Sequence, residues 1–357
     1  MKIIPRYITV QLLKISFFTL IALLGVYSIF DVINEVSKLN KGNYDLWMML
    51  YYILLLLPGR IYELMPLAVL IGGMIAMTSL ANHSEYTVIR TSGVSIYQIG
   101  WILLKFGMLF AVLAVLLGEF ISPITLEKAH RVRLEAIERD VKPEHRSSIW
   151  VKDSNHYINI GRMTPDGTIY AIKVYQYDAK NELVQSMYAD EGQYQSDARW
   201  LLKRVQISHI GQDKITAEYY PEYYWRSILQ PKILDVLLVV PEQMSALNLS
   251  YYIGHLEKNQ QQTRRYEIAL WGKLFYPLAC ISMALIALAF TPHQNRQGSL
   301  GVRLFFGICL GVGFHFFDRF CGYLGLLYSW NPVLVSTLPT VLFLVIGLLV
   351  ISWQERV

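Results

Sequence analysis

The chain has 357 residues, of which 54% are hydrophobic and only 17% charged, and its formal net charge is +5. That balance fits an integral membrane protein with one substantial polar portion, and the lack of any Lys/Arg-rich run argues against a nucleic-acid binder. The three cysteines, Cys280, Cys309 and Cys321, sit in apolar runs near the end, so they read as small buried residues and imply no disulfide framework.

Met1 to Lys14 is an amphipathic start with Lys2, Arg6 and Lys14. Residues 8–30 then form a first span of the roughly 20 residues that a bilayer core requires. The run is too long for a removable signal peptide, and no small-residue cleavage site closes it. Lys38 and Lys41 follow one turn beyond the span. Leu46 to Ala81 is apolar but interrupted by Pro58, Gly59, Arg60, Glu63 and Pro66. It reads as one oblique helix kinked near Pro66, with its membrane part at 64–80; two spans would trap Arg60 and Glu63 in a tight turn.

Ser79 to Gln98 is a short polar interruption between apolar runs. Glu85, Val88, Ile89 and Ser92 recur at helical spacing, which predicts a short amphipathic helix lying along a membrane surface and stopped by Gly93. The ordinary reading is a solvated loop; the sharper one is a helix through which a cytosolic motor moves the membrane part. A third span covers 99–121 and ends at Ser122-Pro123, and a polar helix continues beyond it.

From Ser147 the period changes to two. IWVKD, YINIGRM, TIYAIKVYQYD, ELVQSMYADEGQYQ, RWLLKRVQISHI and KITAEYY read as strands. Pro165-Asp166-Gly167, Asp178 to Asn181, Ser196 to Ala198 and Gly211 to Asp213 mark the turns between them. Short strands at this spacing indicate an antiparallel sandwich or jelly roll. Tyr170, Ile172 and Val174 are expected on one face, with Trp200 and Leu202 opposite, either filling a closed core or lining an apolar groove. Pro241 to Arg265 returns as a polar helix with Leu249, Tyr252, Ile253 and Leu256 on one side. Three further spans, 266–290, 301–323 and 332–353, complete six in a three-plus-three arrangement.

The Lys/Arg count in short loops places the amino terminus and the Glu85 stretch inside, with Arg90, Arg296 and Arg303, and the β portion outside the cytoplasm. No P-loop occurs, since Gly272-Lys273 is followed by Leu274, and no zinc, nucleophile-elbow or CxxC motif is present. No catalytic or metal-ligating set is therefore expected. His315, Asp318 and Arg319 are charged or titratable groups within or near a span, where such groups are costly. Lys38, Lys41, Arg131 and Arg133 form a candidate cationic ring at the outer leaflet, acting as interfacial anchors or as phosphate ligands.

The six spans, the HSEYTVIRTSGVS stretch, the GEFISP close of the third span, WGKLFYPLA opening the fourth, and GVRLFFGICLG with FDRFCG in the fifth resemble the lipopolysaccharide export permeases of the LptF/LptG (YjgP/YjgQ) family. KGNYD and GVR tilt the likeness toward its LptG branch. The resemblance covers the whole chain. It implies an α-helical membrane protein with six transmembrane helices and an inserted all-β periplasmic jelly roll. Its parts would be helices 1–3 with the coupling helix near 82–93 (1–125), the β domain with flanking helices (126–265) and helices 4–6 (266–357). It implies an ABC-transporter subunit, not an enzyme, that binds no cofactor while a partner ATPase uses ATP. The implied partners are a paralogous LptF-like permease, an LptB-like cytosolic ATPase dimer, a membrane-anchored LptC-like periplasmic bridge protein, and lipopolysaccharide itself, with a lateral gate lined by the first and fifth spans. The family's coupling glutamate matches Glu85, beside Arg90, and its basic residues match Lys38 and Arg133. Asp31 and His130 stand where other members carry cations, and Arg60, Lys41 and Arg131 are the candidate replacements. An ion-driven transporter and a membrane-anchored scaffold are the rival readings.

Overall fold

The computed structural model describes residues 3–138, 149–153, 155–163, 168–178, 182–195, 199–211, 214–226, 241–289 and 300–356. The turn tips at 165–167 and 196–198, and Arg296, lie outside these residues, as does the Arg303 side chain.

The first helix, α1, runs from Ile3 to Val36, and α2 from Leu46 to Asn82. The second is therefore one continuous helix of 37 residues, as its apolar pattern predicts. Asp45 caps its start by accepting from Met48 N at 2.8 Å. Pro66 has no N–H to give the Tyr62 carbonyl one turn earlier. The Tyr276 hydroxyl supplies the missing donor, at 2.8 Å from Tyr62 O and 3.0 Å from Glu63 O. In an apolar surround that replacement is what lets the proline persist. The helices α1 and α2 pack closely because Gly72 carries no side chain: a Cβ there would lie 2.4 Å from the Ser16 Cα.

A seven-residue helix, α3 (Glu85–Thr91), follows. Gly93, at φ +89°, ends it. Gly93 N bonds to Arg90 O at 3.0 Å and Val94 N to Ile89 O at 3.4 Å, the paired bonds of a Schellman stop. Ser95 and Gln98 then form a capping box that starts α4 (Ile96–Leu116). A π-helical segment, Leu117–Ile121, joins it to α5 (Ser122–Glu138).

Six antiparallel strands follow: β1 (Ile149–Asp153), β2 (His156–Met163), β3 (Ile169–Tyr177), β4 (Leu183–Tyr194), β5 (Arg199–Ile210) and β6 (Ile215–Arg226). They form one sheet in sequence order. That order is a meander, and the described strands show none of the crossovers that define a jelly roll. The sheet carries a crease instead. Its register sets Gly161, Ala171, Asp190, Arg204 and Pro221 in one row across the strands. Ala171 and Arg204 sit there at φ +53° and +54°. Inward side chains step by three residues across the row, from Ile169 to Ile172 and from Leu202 to Val205, and return to a step of two elsewhere.

After the sheet comes α6 (Ala246–Lys258), whose Tyr252 and Leu256 join the sheet's apolar cluster. The remaining helices are α7 (Arg264–Ala289), α8 (Leu300–Leu327) and α9 (Pro332–Arg356). Five helical stretches, at 3–36, 46–82, 96–133, 264–288 and 332–349, are long and apolar enough to cross a membrane. The 28-residue α8 is long enough as well but carries Asp318 and Arg319. The largest apolar cluster joins α1, α2, α3, α4, α7, α8 and α9.

Candidate functional site

The predicted cationic ring divides in two. Glu35, at the end of α1, is only 4% exposed. Its carboxylate accepts from Lys38 Nζ at 3.0 Å and Arg133 Nε at 3.0 Å. The Tyr44 hydroxyl donates to it at 3.2 Å. Burial and the Glu35 charge raise the Tyr44 phenol well above the ordinary tyrosine range, so it remains a donor. Arg133 also donates to the Tyr52 hydroxyl at 3.2 Å and lies 5.4 Å from that ring's centre. Lys38 and Arg133 are thus brought together, by α1 and α5, around one buried acid.

Arg131 is not part of this cluster. Residues two apart on a helix face different ways, and Arg131 pairs along its own helix with Glu127 at 2.8 Å. Lys41 stands exposed on the loop between α1 and α2. Asp31, where the family resemblance expects a cation, holds Arg60 through two bonds of 2.7 and 3.0 Å, and Glu63 adds a third at 2.8 Å. The Arg60 charge is therefore answered inside the protein. His130 has its ring 6.4 Å from that of Tyr52.

The Glu85 helix forms where the spacing predicts it, and of the residues at that spacing Ile89 is buried while Val88 and Ser92 are exposed. Tyr86 and Ile89 turn inward, at 4% and 8% exposure, while Val88 is 61% exposed. Val88 therefore faces outward, with the half-buried Glu85 at the rim. The reason lies in the neighbours: Tyr86 and Ile89 enter the large apolar cluster that also holds Ile8, Leu12, Val94 and Ile96, and α2 is the helix packed against them. Glu85 Oε2 accepts from the Tyr7 hydroxyl at 2.9 Å. Arg90 donates to Val94 O at 3.2 Å, which ties it to the helix stop.

In the sheet, Ile172, Val174, Trp200 and Leu202 are buried in one cluster. Tyr170 is only half-buried, because the crease at Ala171 shifts the alternation and puts Ile169 on the inner face in its place. Simple period-two reading cannot see such a crease.

Several organising residues escape sequence reasoning. Glu35 was visible only as an acid three residues before Lys38. Glu119 is another: from the π-helical segment its carboxylate accepts from Ala246 N at 2.7 Å and Leu247 N at 3.1 Å, at the start of α6. Lys273 donates to the Met244 carbonyl beside it. These contacts fasten the sheet's trailing helix to the membrane helices. A cavity of about 550 Å³ lies next to them and includes Arg60, Glu63, Lys273, His315, Asp318 and Arg319 in its lining. Among the described residues no cluster of three or more His, Cys, Asp or Glu is placed to hold a metal.

Residues 6–353 match the family model of the lipopolysaccharide export system permease LptF/LptG. Among similar proteins, the lipopolysaccharide export system permease protein LptG of Haemophilus influenzae is 29% identical over 343 residues, 96% of each chain. That of Escherichia coli K12 is 28% identical over 348 residues, 97% of each chain. With its long apolar helices carrying a six-stranded antiparallel sheet, this multi-pass membrane chain belongs to the LptF/LptG permease family.

Proposed function

We propose that the chain is a permease subunit of an ABC transporter that extracts lipopolysaccharide from the bacterial inner membrane and passes it to a periplasmic bridge toward the outer membrane. It acts with a paralogous LptF-like permease, an LptB-like cytosolic ATPase dimer and an LptC-like bridge protein. The chain binds no cofactor; ATP is bound and hydrolysed by the ATPase. Residues 1–125 and 266–357 supply six membrane spans, three on each side of the β unit at 126–265. In this reading the creased sheet is the periplasmic jelly roll of the family resemblance, opened along its crease.

The observation that carries the reading is α3. It is a short helix between two spans, seated by Tyr86 and Ile89, with Val88 exposed and the half-buried Glu85 at its rim. Such a seated, outward-facing helix suits a motor that pushes on it and is superfluous in a scaffold. Beyond the other end of α1, Lys38, Arg133 and the exposed Lys41 offer charge-assisted contacts to lipid phosphates, with Arg131 on the adjacent face. Ile172, Val174, Trp200 and Leu202 supply the apolar groove once the sheet unbends at its crease, with Tyr170 at the rim.

The test is co-purification of the full chain. A stable complex with a soluble P-loop ATPase, and no ATP turnover by the permease alone, is expected. Hydrolysis by the permease alone, or lipid movement driven by an ion gradient without the ATPase, overturns the proposal.

A further inference from the structure

Tyr7 and Glu85 are 78 positions apart, yet the tyrosine hydroxyl donates to the carboxylate at 2.9 Å. The next residues of α1 explain the contact. Ile8 and Leu12 are 1% and 0% exposed and enter the same apolar cluster as Tyr86, Ile89 and Val94. The short helix packs chiefly against α2, and the first turns of α1 add the hydrogen bond at its rim, which fixes the direction of the carboxylate. From this grip α1 continues to Val36 as a single helix, about 50 Å long at the usual rise per residue. Its one proline, Pro5, lies in the first turn, so nothing in the interior breaks it. At its far end stands Glu35, holding Lys38 and Arg133.

We propose that Tyr7 is a positioning residue for Glu85, and that through this contact displacement of α3 is handed directly to α1. The inference rests on the docking role of Glu85 given above and adds the element that receives the motion. An exposed carboxylate on its own samples several rotamers. A bond to a hydroxyl carried by a rigid span selects one of them and links the moved group to that span.

Tyr7→Phe deletes the hydroxyl and keeps the ring. The full-length variant is reconstituted in proteoliposomes with its partner permease and ATPase, and both ATP hydrolysed and lipopolysaccharide extracted are measured. The lipid moved per ATP falls about two- to tenfold, the net scale of one solvent-accessible hydrogen bond. Assembly and melting temperature stay at the parent values. Combined with Glu85→Ala, which leaves the hydroxyl no acceptor, the Tyr7→Phe change adds no further loss, because both act on one contact; independent defects would multiply. Unchanged lipid per ATP in Tyr7→Phe, with loss in Glu85→Ala, overturns this inference and leaves the docking role standing. Normal transport by Glu85→Ala overturns both. A Tyr7→Phe defect that tracks a lower melting temperature or poorer assembly assigns Tyr7 to structure only and overturns the proposal.

Discussion

Replacing Glu35 by Gln tests how the basic cluster is built. The side chain keeps its shape, and the Tyr44 hydroxyl, at 3.2 Å, can still donate to the amide oxygen. What is lost is the charge that faces Lys38 and Arg133, each at 3.0 Å. The amide oxygen keeps Tyr44 and Arg133, while the amide NH2 faces Lys38 and cannot accept its bond; one charge-assisted bond made neutral and one lost cost about 2–4 kcal/mol. The Lys38 and Arg133 side chains are 29% and 25% exposed, so water recovers part of this. A net loss of about 1–2 kcal/mol remains, or about 1–3 °C in melting temperature for a chain of this size. The same change alters the local charge. Lys38 and Arg133 with the Glu35 carboxylate sum to a single positive charge; in the Glu35→Gln variant both positive charges stand unanswered. Lipopolysaccharide should therefore co-purify more strongly with Glu35→Gln, and the gain should shrink at high salt. The assay pairs thermal unfolding of the assembled complex in detergent with lipid retention at two ionic strengths. An unchanged melting temperature together with unchanged or reduced retention would refute Glu35 as the organiser of the site.

Three further predictions follow the geometry. Reversing Lys38, Lys41, Arg131 and Arg133 together should weaken lipid capture by about 1.5–3 kcal/mol for each phosphate contact; reversing Arg131 alone should cost less than reversing Arg133, because it faces away from the Glu35 cluster, and equal costs in a retention assay would contradict this. Asp190→Asn should remove a small acid-sensitive part of the sheet's stability. The Arg204 hydrogen bond lowers the Asp190 carboxyl below its ordinary value, so its contribution is full above the ordinary carboxylate range and is lost as pH falls through the lowered value; identical acid-unfolding profiles for the two proteins would count against it. A photo-crosslinker at Leu202 should capture lipopolysaccharide only with ATP and the ATPase present, since that residue is fully buried at rest; adducts formed without ATP would exclude a driven opening of the sheet.

Much of the architecture was legible because it is written in period and punctuation. Apolar runs marked the long helices, and the strand-like runs coincide closely with β1 to β5, while KITAEYY marks only the first half of β6, which continues to Arg226. Leu249, Tyr252, Ile253 and Leu256 form the buried side of α6 as their spacing indicates. The misplaced details share one cause: they depend on contacts distant in sequence. Tyr86 and Ile89, and not Val88, turn inward on α3 because the apolar cluster they enter is built from other helices, with α2 packed against them. Tyr170 leaves the inner face because a crease crosses neighbouring strands. Arg131 and Arg133 look equivalent in sequence, yet one meets Glu127 and the other reaches Glu35 on another helix. Arg60 looks like a free cation until Asp31, 29 residues earlier, closes on it.

The central claim is that this permease moves lipopolysaccharide with a partner's ATP through α3. The most direct measurement is ATP-dependent extraction of lipopolysaccharide from proteoliposomes holding the chain, its partner permease and the ATPase, with Glu85→Ala alongside. The account predicts extraction by the parent complex only with ATP, and a Glu85→Ala complex that assembles with the ATPase but extracts little lipid. Parent-level extraction by an assembled Glu85→Ala complex, or extraction without the ATPase, would contradict it.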